Sequence, residues 1–386
     1  MTRRRALVIG GSVGGLFAAA MLRQIGWDVA VFEKTAGDLA GRGAGLGLSA
    51  ELFALLRRVG AQLSPAMGVG VSSLRRLDRT GAILEELPRD WLTGAWPRIY
   101  RPLREVVPDS IVASGRTLER VEQDGVGVTA LFADGGRESG DLLVAADGVH
   151  STVRRQYLPE IGARYAGYVA WRGVIEERAL APAAHALLAD SIAYVFPPGE
   201  MSLSTPIPGA GDDVRKGHRR YYFIWYRPVA DGPPLRDLLT DASGHYQGYA
   251  IPPPLIRADH VAAMREAAAA LLPAVLADII AQTEQPLLQA VTDLEVPRMV
   301  FGRAALMGDA AFIARPHVAA GITKAALDAA GLAAALESEP DIDRALARYE
   351  QERREFDLGL VAYSRYLGAA ALASEGNRDP GRVMRE

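Results

Sequence analysis

Three short stretches of this 386-residue chain combine residue types at spacings that can do chemistry. The first is Gly10-Gly11-Ser12-Val13-Gly14-Gly15. It follows the apolar run Ala6 to Ile9 and opens onto Leu16 to Ile25, which has helical spacing. Gly10 permits a tight turn, and Gly15 lets the helix pack close to the strand. The free N–H groups and dipole of the helix start then favour a pyrophosphate. Against G-x-G-x-x-G the middle position is Ser12, a small residue that adds a hydroxyl donor. Glu33 ends the next apolar run, Val29 to Phe32, 23 residues after Gly10. An acid there is placed to accept hydrogen bonds from ribose hydroxyls. Strand, glycine turn, helix, strand and acid together point to dinucleotide binding.

The second stretch is Asp147-Gly148, at the end of the apolar run Asp141 to Ala145, with Ser151 spaced to cap a short helix at Arg154. Alone, it is consistent with any strand-to-helix turn. The third lies within Leu306 to Leu336, LMGDAAFIARPHVAAGITKAALDAAGLAAAL. This segment is apolar and alanine-rich, yet it carries Asp309, Arg315, His317, Lys324 and Asp328. Five ionisable residues are too costly for a membrane span. It reads instead as a strand, Arg303 to Met307, ending at Gly308-Asp309, then a loop from Pro316 to Gly321, then a helix from Ile322 to about Leu336. A helix N-terminus can stabilise a developing anion. His317 titrates in the range useful for holding or accepting a substrate proton. Lys324 is either a surface lysine or a group near cofactor or loop carbonyls.

The rest of the chain must position these residues. Its length predicts two or three domains' worth of core. Composition is globular, with 49% hydrophobic and 23% charged residues. A net charge of −3 without a basic block gives no nucleic-acid partner. There is no cysteine, so disulfides and thiolate chemistry are excluded, and no metal site is read. No charge-free apolar stretch of about 20 residues exists, and the N-terminus lacks a signal-peptide pattern. The expectation is a soluble, cytoplasmic protein. A hairpin is predicted over Thr117 to Leu131, turning at Asp124-Gly125. The region from about Tyr165 to Pro254 is rich in aromatics and strand-like. Helical patterning returns from His260 to Thr283, and a charged helix runs from about Asp341 to Gly368. In the run Tyr221 to Arg227, the alternate residues Tyr221, Phe223, Trp225 and Arg227 form one face. That face either walls a planar ring pocket or is one side of a packed sheet. Trp171 and Arg172 carry the same ambiguity.

These motifs, in this order, resemble the FAD-dependent aromatic hydroxylases, the single-component flavoprotein monooxygenases. The form Arg315-Pro316-His317-x-Ala-Ala-Gly321-x-x-Lys324-Ala, with YAGYVAWRG at 165–173, looks like the 2,6-dihydroxypyridine 3-hydroxylase branch. The resemblance implies an α/β fold: a Rossmann-type FAD-binding domain interleaved with a β-sheet substrate domain. The expected division is 1–70, 101–157 and 271–340 for the FAD-binding domain, 71–100 and 158–270 for the substrate domain, and 341–386 for a C-terminal helical segment. It assigns FAD contacts to Gly10, Ser12, Val13, Gly14, Gly15, Glu33, Lys34, Arg42, Gly45, Arg101, Asp147, Gly148, Gly308 and Asp309. It places Pro316 and His317 beside the flavin ring as the catalytic residues. Gly321, Ile322 and Thr323, at the helix start, face the flavin N1–O2 edge. The expected substrate wall is Trp171, Phe223, Trp225 and Arg227. Two positions depart from the family pattern: Phe312 stands where it often has His, and Thr323 where it often has Asn. The implied reaction uses NADH or NADPH, O2 and a flavin C4a-hydroperoxide to hydroxylate an electron-rich ring, taken as a hydroxylated pyridine or related N-heteroaromatic. The alternatives are a tailoring monooxygenase on a larger natural product and a non-catalytic flavin sensor. A homodimer is the family expectation.

Overall fold

The computed structural model describes residues 3–37, 39, 45–64, 66–373 and 384. The expected contact Arg42 lies outside these residues.

The strand Arg5–Ile9 is central to a six-stranded sheet. It pairs in parallel with Leu142–Ala145 on one side and Asp28–Glu33 on the other. A strand buried on both faces reads as a continuous apolar run, as Ala6 to Ile9 does. In space the sheet runs Val300–Phe301, Ala304–Leu306, Leu142–Ala145, Arg5–Ile9, Asp28–Glu33, Val112–Ser114. The helices Val13–Gln24 and Gly321–Ser338 pack against each other beside this sheet. Alanines on both keep the contact close. The hairpin forms as expected, Leu118–Gln123 with Val128–Phe132, and Arg137–Gly140 adds a third strand.

The second sheet has nine strands, ordered Ala250–Ile251, Leu287–Asp293, Arg164–Glu176, Arg220–Pro228, Met201–Ile207, Ser191–Val195, Val69–Leu77, Ile83–Ala95, Gly45–Leu48. One face packs on the helices Ala258–Leu271 and Ala274–Gln282. The other looks toward the first sheet and the Pro316–Gly321 loop. Two expected boundaries move. Gly45–Leu48 pairs with Ile83–Ala95, so part of the 1–70 segment belongs to the second sheet. Leu287–Asp293 pairs with Arg164–Glu176, and Ala274–Gln282 packs on the same core, so the return at 271 comes too early. The helical patterning after His260 covers the second sheet rather than marking a return to the first.

The C-terminal helix Ile342–Ala371 spans both sheets. Near its start Tyr349 donates its hydroxyl to the Leu306 carbonyl of the first sheet at 2.8 Å. Near its end Ala371 is buried beside Tyr168 and Tyr226 of the second. Among the described residues, no helix is long and apolar enough to cross a membrane.

Candidate cofactor and substrate site

The glycine turn is shaped by backbone contacts that no side chain could share. A Cβ on Gly15 would sit 1.8 Å from the Gly10 carbonyl oxygen. Gly10 has φ +110°, and a Cβ there would lie 2.3 Å from the Ala146 carbonyl oxygen. Gly14 faces Ala325 of the Gly321–Ser338 helix, and Val13 is buried. Ser12 is the N-cap of Val13–Gln24, yet its hydroxyl makes no capping bond. The helix start therefore keeps N–H groups available for an anion. The Glu33 carboxylate accepts from the N–H groups of Gly11 and Thr35, each at 2.8 Å. Each oxygen has a second lone pair, so these bonds orient the group without exhausting it. Lys34 beside it is exposed.

Asp147 lies where the Leu142–Ala145 strand meets this turn. Its Oδ2 accepts from the Thr152 N–H at 2.7 Å, while its Oδ1 is buried with no partner among the described residues. Burial raises its pKa, opposed by bonds from Ser151 and the Thr152 backbone. Gly148 takes φ +75°, and Ser151 caps the helix Thr152–Tyr157 through the Arg154 N–H at 3.0 Å, as expected. The Arg154 guanidinium donates to the carbonyls of Val149 and Ala310, tying this turn to Gly308-Asp309. The Asp309 side chain reaches solvent, while the protein atoms around it raise its pKa by desolvation, with Lys324 opposing. Thr323 contacts Ser49 through their hydroxyls at 3.3 Å, Ile322 is half-buried, and Gly321 has open space where a side chain would be. Gly45 lies against the Tyr222 ring, at 2.9 Å from a built Cβ.

Free helix N–H groups, an orphaned buried Asp147 oxygen, an open Asp309 and glycines that leave no room for side chains are brought together where Gly10 meets Ala146 and Arg154 meets Ala310. This donor and acceptor set fits a dinucleotide with pyrophosphate and hydroxyl groups. Arg101, expected at the cofactor, lies on the helix Trp96–Val106. It is largely exposed and pairs with Asp212 at 3.3 Å. Lys324 is buried, donating to the Gly308 carbonyl at 3.1 Å, so the loop-carbonyl reading holds and the surface reading does not.

The expected substrate wall is corrected. Trp171, Phe223 and Trp225 lie in the core formed with Leu276, Ile279 and Ile280, on the face turned away from His317. Arg227 stacks over Trp225 at 4.5 Å and pairs with Glu200 at 3.0 Å. Both faces of this strand are aromatic, so its alternation gave two faces without saying which was covered by helices. The opposite face carries Tyr168, Tyr222, Ile224 and Tyr226, and of these Tyr168 and Tyr226 meet His317. Arg172 shares the parity of this face and acts electrostatically on His317, Tyr222 and Tyr226. We expect Trp225→Ala to cost about 3–5 kcal/mol in denaturant unfolding. Tyr226→Ala should instead raise the substrate KM. The reverse pattern would restore the original face.

His317 sits in a short 3-10 turn, Pro316–Val318, closed by Ala319 at φ +48°. That left-handed conformation, unusual for a side-chain-bearing residue, marks a loop held by its surroundings. Arg315 anchors the loop to Asp293 at 2.8 Å and through its N–H to Ser364 at 2.9 Å. The His317 ring lies 4.5 Å from the Tyr226 ring, and its Nε2 is 2.8 Å from the Tyr168 hydroxyl. Desolvation, then Arg315 and Arg172, bring the His317 pKa down to about 3. Burial pushes the Tyr168 hydroxyl up to about 12. At neutral pH both groups are uncharged; with Tyr168 assigned as the donor to Nε2, Nδ1 carries the hydrogen. That Nδ1 is buried with no partner among the described residues. In that assignment His317 offers a donor at Nδ1, and its lowered pKa makes it a weak base. Pro316, next to it, fixes the loop's entry.

Comparison with known proteins agrees with this geometry. The family described as FAD binding domain matches residues 3–189, and FAD binding domain-like matches 165–293. The 2,6-dihydroxypyridine 3-monooxygenase of Paenarthrobacter nicotinovorans is 33% identical over 350 residues, covering 90% of this chain and 87% of that protein. The FAD-dependent urate hydroxylase of Klebsiella pneumoniae is 32% identical over 383 residues, covering 94% and 89%. The solved structure of 2,6-dihydroxypyridine-3-hydroxylase from Arthrobacter nicotinovorans superposes with a TM-score of 0.91 at 31% identity, covering 99% of this chain and 96% of that one. A donor and acceptor set that fits FAD, an α/β fold shared across nearly the full length and relatives at this identity give one conclusion: the chain is an FAD-dependent monooxygenase and belongs to the family of FAD-dependent aromatic hydroxylases.

Proposed function

We propose that the protein places one atom of O2 on a hydroxylated pyridine or closely related N-heteroaromatic ring, using NADH or NADPH as reductant. The observation that carries this reading is the His317 Nδ1–H, buried, unpartnered among the described residues and set beside the Tyr226 ring. A planar ring with an exocyclic oxygen matches such a donor. The names of the two relatives, a dihydroxypyridine monooxygenase and a urate hydroxylase, support the same ring class.

In this reading Gly10 to Gly15 hold the FAD pyrophosphate, Glu33 a ribose, Asp309 the ribityl hydroxyls, and the Gly321–Thr323 helix start the polar edge of the flavin. A flavin held there would supply the redox chemistry that links the nicotinamide's two electrons to O2, one atom of which goes to the ring and the other to water. The residues of this chain do the rest. Tyr168 fixes the imidazole tautomer. His317 donates from Nδ1 to the ring oxygen, and Arg172 adds positive charge that favours its ionised form. An ionised hydroxyl enriches the ring in electrons at neighbouring carbons, where oxygen attacks. The aromatic wall of Tyr168, Tyr222 and Tyr226 orients the ring and excludes water.

The test is oxygen-dependent NADH and NADPH oxidation by the FAD-loaded protein across hydroxypyridines and hydroxybenzoates, with product and peroxide both quantified. Strong stimulation by a hydroxypyridine, with product matching nicotinamide consumed, is expected. Stimulation by no N-heteroaromatic, or peroxide accounting for all the nicotinamide, would overturn the proposal. By resemblance to the family, the proposed state is a cytoplasmic homodimer, checked by sedimentation velocity.

The pH dependence has a definite sign. The unfolded chain protonates His317 near 6.5, whereas the folded site holds it neutral down to about 3. Between these values the unfolded state binds the extra proton, so stability contributed by this site falls as pH drops from 6.5 toward 3. Thermal unfolding of His317→Phe should show a shallower acid loss than the parent.

A further inference from the structure

We propose that Lys324, Asp328, Arg353 and Asp357 form a positioning device for the Gly308-Asp309 turn, through which the C-terminal helix sets FAD affinity without touching FAD. The inference rests on the reading that Asp309 holds the cofactor.

The four residues form a closed set of ion pairs between the helices Gly321–Ser338 and Ile342–Ala371. Lys324 Nζ lies 3.1 Å from Asp328 and 3.4 Å from Asp357. Arg353 lies 2.9 Å from Asp328 and 3.3 Å from Asp357. The side chains of Asp328 and Asp357 are 0% exposed and that of Lys324 1%. Replacing such a buried set by apolar residues is often neutral or stabilising, so stability alone is a weak reason for it.

Its contacts give a better reason. Asp328 Oδ2 accepts the Gly308 N–H at 2.9 Å, and Lys324 Nζ donates to the Gly308 carbonyl at 3.1 Å. Both polar groups of one residue are therefore held by charges. Gly308 stands at φ +58°, a conformation that needs such holding and that sets the course of the chain into the next residue, the exposed Asp309. Tyr349, from the same C-terminal helix, fixes the Leu306 carbonyl two residues upstream. Burial opposes the Lys324 charge, but Asp328 and Asp357 outweigh it and keep the ammonium protonated. At neutral pH the Asp328 arm is therefore charged, while burial and the neighbouring Asp328 push Asp357 up to about 7.

The experiment measures FAD affinity of the full-length apoprotein by quenching of FAD fluorescence, with apoprotein Tm recorded alongside. The variants are Lys324→Met, Lys324→Arg, Asp357→Asn, Asp309→Ala and the double variant Lys324→Met/Asp309→Ala. Lys324→Met is expected to raise the FAD Kd about tenfold or more, with partial rescue by Lys324→Arg. Asp357→Asn, on the other helix, should raise it in the same direction. In the Asp309→Ala background the Lys324→Met effect should largely vanish, since the two act through one contact. A lowered Tm with unchanged Kd in Lys324→Met and Asp357→Asn would reduce the cluster to a structural role and overturn the proposal. If Lys324→Met does not fold, Asp357→Asn decides alone. An unchanged Kd in Asp309→Ala would instead show that the underlying reading of Asp309 has failed.

Discussion

Replacing His317 with phenylalanine is expected to lower kcat/KM for the ring substrate by about 10- to 100-fold. This is the loss of one hydrogen bond to a charged oxygen, roughly 1.5–3 kcal/mol. FAD affinity should stay within about twofold, because His317 borders the ring pocket and not the pyrophosphate turn. Nicotinamide oxidation should persist but divert to peroxide, since a poorly held ring misses the reacting oxygen. Steady-state kinetics with product and peroxide quantified would check this. Full coupling and an unchanged kcat/KM would remove His317 from the site. The kcat/KM profile of the parent should show no limb near pH 6.5 from this histidine, because its pKa is held at about 3. Gly368→Ala gives an independent handle. A Cβ there would lie 2.7 Å from the Tyr168 hydroxyl and 3.2 Å from the His317 ring, so the substitution should reproduce part of the His317→Phe phenotype from the C-terminal helix.

The second large effect is expected at the glycine turn. Gly15→Ala places a methyl group 1.8 Å from the Gly10 carbonyl oxygen, a backbone atom without a rotamer to relieve the clash. The helix must retreat from the strand, and the N–H groups proposed to hold the pyrophosphate retreat with it. Purified Gly15→Ala should lack flavin absorbance and lose about 3 kcal/mol of stability. Gly10→Ala should behave alike, since it adds a positive φ to a 2.3 Å contact with Ala146. Ser12→Ala is the contrast. Its hydroxyl makes no capping bond, so apoprotein stability should hold while FAD affinity falls severalfold. Flavin content and denaturant unfolding of the three variants would separate these outcomes, and a yellow, stable Gly15→Ala would refute the turn's assigned role.

The features legible in the sequence were the local ones. Ala6 to Ile9, the glycine turn and Glu33 sit within one short stretch, where continuous apolar runs and glycines report buried strands and tight turns directly. The Asp124-Gly125 hairpin and the Ser151 cap were read for the same reason. What failed depends on distant partners. The faces of Tyr221 to Arg227 alternate as expected, but the helices Ala258–Leu271 and Ala274–Gln282 decide which one is buried away from His317. Tyr168, Tyr222 and Tyr226 were therefore missed, although Tyr168 stood within the YAGYVAWRG stretch. Arg353 and Asp357 read as ordinary charges on a charged helix. Only the packing of that helix on Gly321–Ser338 turns them inward. Likewise, the sequence shows a histidine in the loop at 317, but not the burial that takes away its basicity.

The strand order of the six-stranded sheet has a consequence for how the protein is made. Arg5–Ile9 emerges from the ribosome first, yet its neighbour Leu142–Ala145 follows far later, and the next strand, Ala304–Leu306, later still. Until residue 306 is synthesised, the nascent chain holds a parallel sheet with an unpaired hydrophobic edge, the kind of surface that invites intermolecular pairing. Contacts of such long sequence separation also make for slow folding. Biosynthesis of this enzyme should therefore depend on chaperone protection and low temperature, and no continuous fragment ending before Ala304–Leu306 should fold alone.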